Sequence, residues 1–192
     1  MASFFQSVFK EINFMHLLNA VDKDSFLMLR GISIDINANH FATLALYTDL
    51  MECDLKRYIN TKKPDLNMKI KILKQIAHGI QKLTQMNVVN GDLKPENILL
   101  DQQQNARISD FGTAKLMHCS MSQSVEEKLI FTPSYSPPEL LIDGVKNSKT
   151  DVWSFGCIML SVLGRYTPFT NIPLSKRTEH IKNKEETVIE NF

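Results

Sequence analysis

The chain has 192 residues, of which 43% are hydrophobic, 22% charged and 8% aromatic, with 7 Gly and 7 Pro. This composition excludes collagen-like, disordered and coiled-coil chains and suits one domain with a sizeable core. Lys and Arg number 22 against 21 Asp and Glu, and a net charge of +1 makes no case for nucleic acid or an anionic membrane as a partner.

Residues 3–18 predict an amphipathic helix, with Phe4, Phe5, Val8, Phe9, Ile12 and Met15 at helical spacing beside Lys10 and Glu11. Lys10, Glu11 and His16 interrupt what would be the apolar part of a secretory leader, and no small-residue cleavage site follows. Phe26–Leu29 and Leu44–Leu46 read as short strands, with Asp35–Asn39 as the turn between them. Asp54–Asn60 predicts a short helix. Asn67–Met86 predicts a longer one, with Met68, Ile72, Ile76, Ile80 and Leu83 on one face.

From Val88 to Asp110 short apolar groups (Val88-Val89, Ile98–Leu100, Arg107–Ser109) alternate with polar turns, as in small hairpin strands around a loop. Residues 113–134, with Ser120, Ser122, Ser124, Glu126, Glu127 and Lys128, read as a long mobile loop. Asp151–Leu163 reads as a buried helix. Its apolar run Cys157–Leu163 is far short of the roughly 20 residues that span a bilayer. The tail after Thr170 is polar and expected to pack loosely. Cys53, Cys119 and Cys157 are widely spaced and odd in number, which suits reduced thiols better than a disulfide framework or a zinc site. The expected compartment is the cytoplasm, with the nucleus as the alternative.

The chemistry concentrates in Asn90-Gly91-Asp92-Leu93-Lys94-Pro95-Glu96-Asn97 and, across the expected hairpin, Asp110-Phe111-Gly112. A hairpin between them can bring Asp92, Lys94, Asn97 and Asp110 to one end of a small sheet. Mg²⁺ takes few carboxylates plus phosphate oxygens, and Asp110 and Asn97 have that chemistry. Asp92 can orient or deprotonate an attacking hydroxyl. Lys94 can neutralise charge on a transferring phosphoryl group.

These residues resemble the eukaryotic protein kinases. Ser134-Tyr135-Ser136-Pro137-Pro138-Glu139 is similar to that family's Ala-Pro-Glu segment, with Pro137 for the alanine. Asp151-Val152-Trp153-Ser154-Phe155-Gly156 is similar to the start of its large buried helix, and Asp54-Leu55-Lys56-Arg57-Tyr58 to the helix after its hinge. The resemblance covers roughly residues 4–170. It implies an α+β, protein-kinase-like fold with an incomplete small lobe and a mainly helical large lobe. On that reading residues 1–192 form a partial kinase domain: about 1–51 a remnant of the small lobe and hinge, 52–170 the large lobe, 171–192 a polar tail.

The resemblance also implies roles. Asp92 takes the catalytic-base position, Lys94 that of the phosphate-side lysine, and Asn97 completes the catalytic loop; Asn97 and Asp110 take the metal positions. Thr48 falls at the gatekeeper. The backbone of Asp49, Leu50 and Met51 would meet adenine, Asp54 the ribose, and Leu99 would lie under the ring. Glu11 matches the helix glutamate that pairs with the family's strand lysine, and Thr132 the threonine before Pro-Pro-Glu. Lys94-Pro95-Glu96-Asn97 resembles serine/threonine rather than tyrosine kinases. ATP, Mg²⁺ and a protein substrate are implied; nucleic acid and membrane are not, and the oligomeric state is left open. Asp151 is expected to hold the catalytic-loop backbone, and Trp153 and Phe155 to be core. No arginine after Thr170 stands out as partner for Glu139. Ser120, Ser122 and Ser124 read as a solvated loop before they read as phosphosites.

Three departures from the family stand out. No Gly-x-Gly-x-x-Gly loop or Ala-x-Lys strand precedes Glu11, so two small-lobe strands are expected where the family has five. Asn90-Gly91 stands where the family has His-Arg, so Gly91 cannot bind a phosphorylated loop as the arginine does. The chain also stops short of the family's usual length of about 250 residues or more. Two accounts follow: a piece of a serine/threonine kinase domain, or a pseudokinase that works as a binding or scaffold module. A nucleotide-binding regulator without catalysis lies between them.

Overall fold

The structure, a computed structural model, describes residues 2–36, 42–117, 132–164, 166–169, 171–173, 175–177 and 179. The side chains of Phe4 and Phe5, residues 37–39 of the expected turn, and Ser120, Ser122, Ser124 and Cys119 of the expected loop lie outside the described residues.

The chain opens with helix α1 (Ala2–Val21) and a hairpin of β1 (Leu29–Ile36) and β2 (Ala42–Thr48). Then follow β3 (Cys53–Asp54), α2 (Leu55–Thr61), α3 (Leu66–Gln85), β4 (Val88–Val89), a 3-10 turn (Pro95–Asn97), β5 (Ile98–Leu100), β6 (Ala106–Ile108), β7 (Lys115–Leu116), α4 (Pro138–Asp143) and α5 (Thr150–Gly164). The architecture is α+β, consistent with a protein kinase fold. Among the described residues no helix is long and apolar enough to cross a membrane.

Helix α3 is the central pillar. Asp65 caps it, its carboxylate accepting the Met68 N–H at 2.8 Å. Ile72, Leu73, Ile76, Ile80 and Leu83 recur every three or four residues and are all buried. That stripe packs on α5, where Cys157, Ile158 and Val162 are buried, and on β6. Each fully buried Leu or Ile stabilises by about 1.5–3 kcal/mol. At Gly79 a Cβ would lie 2.7 Å from Ile108 Cδ1, so glycine permits the close approach of helix and strand.

The buried stripe of α1 is not the predicted one. Phe14, Met15 and Leu18 are buried and Val8, Glu11 and Ile12 half-buried, whereas Phe9 is exposed. Phe9, expected on the stripe, points outward because the 3.6-residue period through Met15 and Leu18 runs through Glu11 instead.

Strand β1 starts at Leu29, not Phe26, and includes Asp35 and Ile36 of the expected turn. Phe26 is fully buried and bridges Ile108 in parallel, with Leu27 N–H donating to the Ile108 carbonyl at 3.0 Å and Ile108 N–H to the Ser25 carbonyl at 2.9 Å. β1 and β2 pair antiparallel from Leu29↔Thr48 to Ile36↔Ala42. β3, β5 and β6 form a second antiparallel sheet, with Asp54↔Leu99 and Ile98↔Ile108 in register. β4 does not join that hairpin. It pairs with β7, a strand formed by Lys115 and Leu116 of the expected loop. The tail is less loose than expected as far as it is described, since Arg177 donates to the Ile172 carbonyl at 2.8 Å and to Ser134 Oγ at 3.1 Å.

Candidate active site

The loop from Asn90 to Asn97 is fixed from below by Asp151, the second residue of α5. Its carboxylate oxygens accept the backbone N–H of Asn90 at 2.8 Å and of Gly91 at 2.9 Å. Asp151 is buried, and desolvation raises its pKa against the opposing pull of those two N–H donors and of the nearby Lys146 ammonium. Asn90 is fully buried and its groups are all engaged. Its Nδ2 donates to the Asp110 carbonyl at 3.0 Å and its Oδ1 accepts the Asp92 N–H at 3.0 Å, while its carbonyl accepts Thr113 Oγ1 at 2.9 Å. Gly91 has φ +79°, a conformation that suits glycine.

Four site residues that the sequence pointed to converge. Lys94 Nζ lies 2.6 Å from Asp92 Oδ2 and donates to Thr132 Oγ1 at 2.9 Å. The Thr132 N–H donates to the other oxygen of Asp92 at 2.8 Å. Asn97 Nδ2 donates to the Asp92 carbonyl at 3.0 Å and to Asp110 Oδ2 at 3.2 Å. Asn97 is thereby oriented with its amide nitrogen spent, which leaves its oxygen as a ligand. Asp110 is exposed between two buried neighbours, Ser109 and Phe111. No cluster of three or more His, Cys, Asp or Glu suited to a metal occurs among the described residues, and a pair of protein oxygens is what Mg²⁺ takes when phosphates and water complete its shell.

The hinge candidates lie along one edge. The Asp49 N–H donates to the Met28 carbonyl at 3.2 Å, and its side chain pairs with Arg30 at 2.5 Å. Leu50 is 88% exposed. The Glu52 N–H donates to the Leu100 carbonyl at 2.8 Å, which holds the end of the 49–52 segment against β5, and Met51 and Leu99 both pack against the core. Asp54 caps α2, accepting the Arg57 N–H at 2.8 Å, and sits opposite Leu99 in the sheet. One Asp54 oxygen is therefore committed to the helix end. Glu11 faces the other side of the site. Burial, then the charge of Asp110, push its pKa up, and among the described residues it has no hydrogen bond or ion pair. Thr48 is exposed, its hydroxyl on the Asp49 carbonyl at 3.3 Å.

Residues 2–191 match the family model described as Protein kinase domain. This chain belongs to the protein kinase family. It is 37% identical over 111 residues to cAMP-dependent protein kinase type 3 of Saccharomyces cerevisiae, covering 58% of this chain and 27% of that one. It is 31% identical over 131 residues to Tyrosine-protein kinase SPK-1 of Girardia tigrina, covering 66% and 26%. With Cyclin-dependent kinase 4 of Xenopus laevis it shares 27% over 162 residues, covering 83% and 50%. The chain thus spans half or less of the length of these kinases.

Two residues of this candidate site are not singled out by sequence reasoning. Asn90 reads there as a small polar replacement, yet it joins the 90–97 loop to Asp110. Lys146 lies against Gly91 and donates to the Thr113 carbonyl at 3.0 Å. Nothing local in the sequence ties Lys146 to Asn90-Gly91. Glu139 is paired with Asn147, whose Nδ2 donates to it at 3.1 Å.

Proposed function

We propose that this chain is a serine/threonine protein kinase domain that transfers the γ-phosphoryl group of ATP, with Mg²⁺, to a protein hydroxyl. The observation that carries the reading is the junction at Asp92, where a buried carboxylate meets Lys94 and Thr132 within 3 Å and Asn97 links it to Asp110. Asp110 and Asn97 supply the metal oxygens, and Mg²⁺ between them would neutralise phosphate charge. Asp92 orients an incoming hydroxyl and takes its proton. Lys94 holds that carboxylate in place and brings a positive charge to the reacting group. The Asp49–Met51 backbone and Leu99 form the adenine edge, with the free oxygen of Asp54 toward the ribose. The Lys94–Thr132 bond supports serine/threonine over tyrosine acceptors, because it sets the segment before Pro137 close to Asp92. The same reading implies a protein substrate, no nucleic acid or membrane partner, and a cytoplasmic or nuclear setting.

A second reading has one observation in its favour. Glu11 has no cationic partner among the described residues and lies near Asp110, so an ionised Glu11 opposes an anionic nucleotide. On this reading the chain is a pseudokinase, a binding module with weak Mg-ATP affinity in the upper part of the roughly 1 μM–1 mM range usual for enzyme substrates.

The test is Mg-ATP calorimetry together with a phosphate-transfer assay on a generic protein substrate, for the chain and for Asp92→Asn. Catalysis predicts transfer that falls by about 10²–10⁴-fold in Asp92→Asn with nucleotide affinity retained. Equal transfer in both proteins refutes Asp92 as the base. Binding without transfer in either supports the module.

A further inference from the structure

The space beside Gly91 is filled from another part of the chain. A Cβ built on Gly91 would lie 2.5 Å from Lys146 Nζ, 2.7 Å from its Cε and 2.8 Å from its Cδ. Lys146 comes from the loop between α4 and α5, and its ammonium donates to the Thr113 carbonyl at 3.0 Å. Thr113 in turn donates through Oγ1 to the Asn90 carbonyl, and Asn90 donates to the Asp110 carbonyl. Lys146 therefore belongs to a chain of hydrogen bonds that passes through both halves of the site.

We infer that Lys146 and Gly91 are a matched pair: Lys146 is a positioning residue that ties the segment after Asp110-Phe111-Gly112 to the catalytic loop, and glycine at 91 is what admits it. The physical case has three parts. A charged donor on a partly buried carbonyl makes a stronger bond than a neutral one. The tie bridges residues 33 apart in sequence, so its loss removes one of the long-range anchors of a segment that the β4–β7 pairing and the Met117–Asn87 bond also hold. The ammonium is also close enough to Asp151 to favour the ionised form of that buried carboxyl, so one lysine serves the carboxylate beneath the loop and the segment above it. A side chain at 91 would meet the end of the lysine first, and a flexible end yields before backbone does. Any residue larger than glycine there meets the lysine end and displaces the tie.

The inference rests on the kinase reading only for its effect on metal and nucleotide binding; the tie itself is read by hydrogen exchange. The amides to follow are Ala114, bonded to the Phe111 carbonyl at 3.0 Å, and Met117, bonded to the Asn87 carbonyl at 2.7 Å, with the α3 amides as internal reference. In Lys146→Met exchange at residues 113–117 should rise by about tenfold, as expected for loss of a charged hydrogen bond, with α3 unchanged. Lys146→Arg should restore most of the protection. Gly91→Ala should give the same signature with the lysine present, and adding it to Lys146→Met should produce little further change at residues 113–117. Backbone strain from alanine at positive φ falls on residues 90–92 and is read separately. Unchanged exchange in Lys146→Met, failure of arginine to restore it, or full additivity of the two substitutions each overturns the inference. Should Lys146→Met not fold, Lys146→Arg and Gly91→Ala still decide it. A Mg-ATP titration of the unsubstituted chain that shows no binding sinks the kinase reading but leaves the exchange result decisive for the tie.

Discussion

Replacing Asn90 by alanine probes the centre of the site. The substitution removes two side-chain hydrogen bonds at 3.0 Å, one from the Asp92 N–H and one to the Asp110 carbonyl. Asn90 is fully buried and Asp92 is 7% exposed, so water does not replace the first partner. A buried group left unpaired costs about 1–3 kcal/mol. The Asp110 carbonyl is better hydrated and falls at the low end of that range. The two together give roughly 2–5 kcal/mol, a large share of the about 5–15 kcal/mol that holds a domain folded. The single tryptophan, Trp153, lies in α5 two residues beyond Asp151 and reports unfolding by fluorescence. With a urea slope of about 2 kcal/mol/M, the midpoint should move down by roughly 1–2.5 M. Asn90→Asp is the informative companion. It keeps the acceptor for the Asp92 N–H but loses the donor and adds an anion beside Asp151, so it should cost at least as much as alanine. A loss below about 0.5 kcal/mol in Asn90→Ala, within the scatter of ordinary surface substitutions, would refute the argument that Asn90 organises the loop.

Two further predictions concern charge. Burial and then Asp110 raise the Glu11 pKa from its ordinary 4.5, so its ionised form is disfavoured in the fold and stability falls as pH rises from that value through the folded one. Glu11→Gln should therefore be the more stable protein at neutral pH, by about 0.5 kcal/mol at most once solvent screening is allowed for, and the gap should vanish below 4.5; a Glu11→Gln protein that melts lower at neutral pH would contradict this. Asp22 behaves oppositely: burial pushes its pKa up, but the N–H of Asp24, the hydroxyl and N–H of Ser25, and His78 together hold it below its ordinary 3.8. Its contribution is present above that value and lost as pH falls through the folded one, so Asp22→Asn should be less stable at neutral pH and match the parent in acid; a gap that stays constant with pH would rule this out.

Helices α1, α2, α3 and α5 and the convergence of four polar residues were legible in the sequence because each rests on local information, whereas α4 (Pro138–Asp143) was not expected. Helix α3 follows from its own periodicity. Asp92, Lys94, Asn97 and Asp110 lie close together in sequence, with only a hairpin to close. What was not legible depends on distant partners. Phe26 looked like the start of a strand, but its place is set by Ile108 and Phe111. Lys115 and Leu116 looked like part of a loop because their strand partner, β4, lies more than twenty residues earlier. Phe9 is expected on the stripe by its spacing from Phe5 and Ile12, whereas the phase set by Phe14, Met15 and Leu18, which the fold buries, puts Glu11 on the inner face. Lys146 was invisible for the same reason: its role exists only where Gly91 leaves room.

The setting of Asp110 shows how packing fixes an exposed carboxylate. Asp110 has φ +59°, a left-handed conformation that costs a residue other than glycine about 1–2 kcal/mol, less for Asp than for most. Such strain persists only where neighbours over-determine the backbone. On one side Ser109 is held by Asn97, its N–H and Oγ each donating to the Asn97 carbonyl at 2.9 Å. On the other, Phe111 is fully buried and meets Phe26 edge-on, ring centroids 5.9 Å apart at 73°. Asn90 takes the Asp110 carbonyl from beneath. With both flanks and the carbonyl fixed, the backbone that carries the exposed carboxylate has little freedom left. That order is supplied in folding by Phe26, Phe111 and Asn90. An exposed carboxylate thus owes its backbone geometry to a core phenylalanine more than eighty residues earlier in the chain.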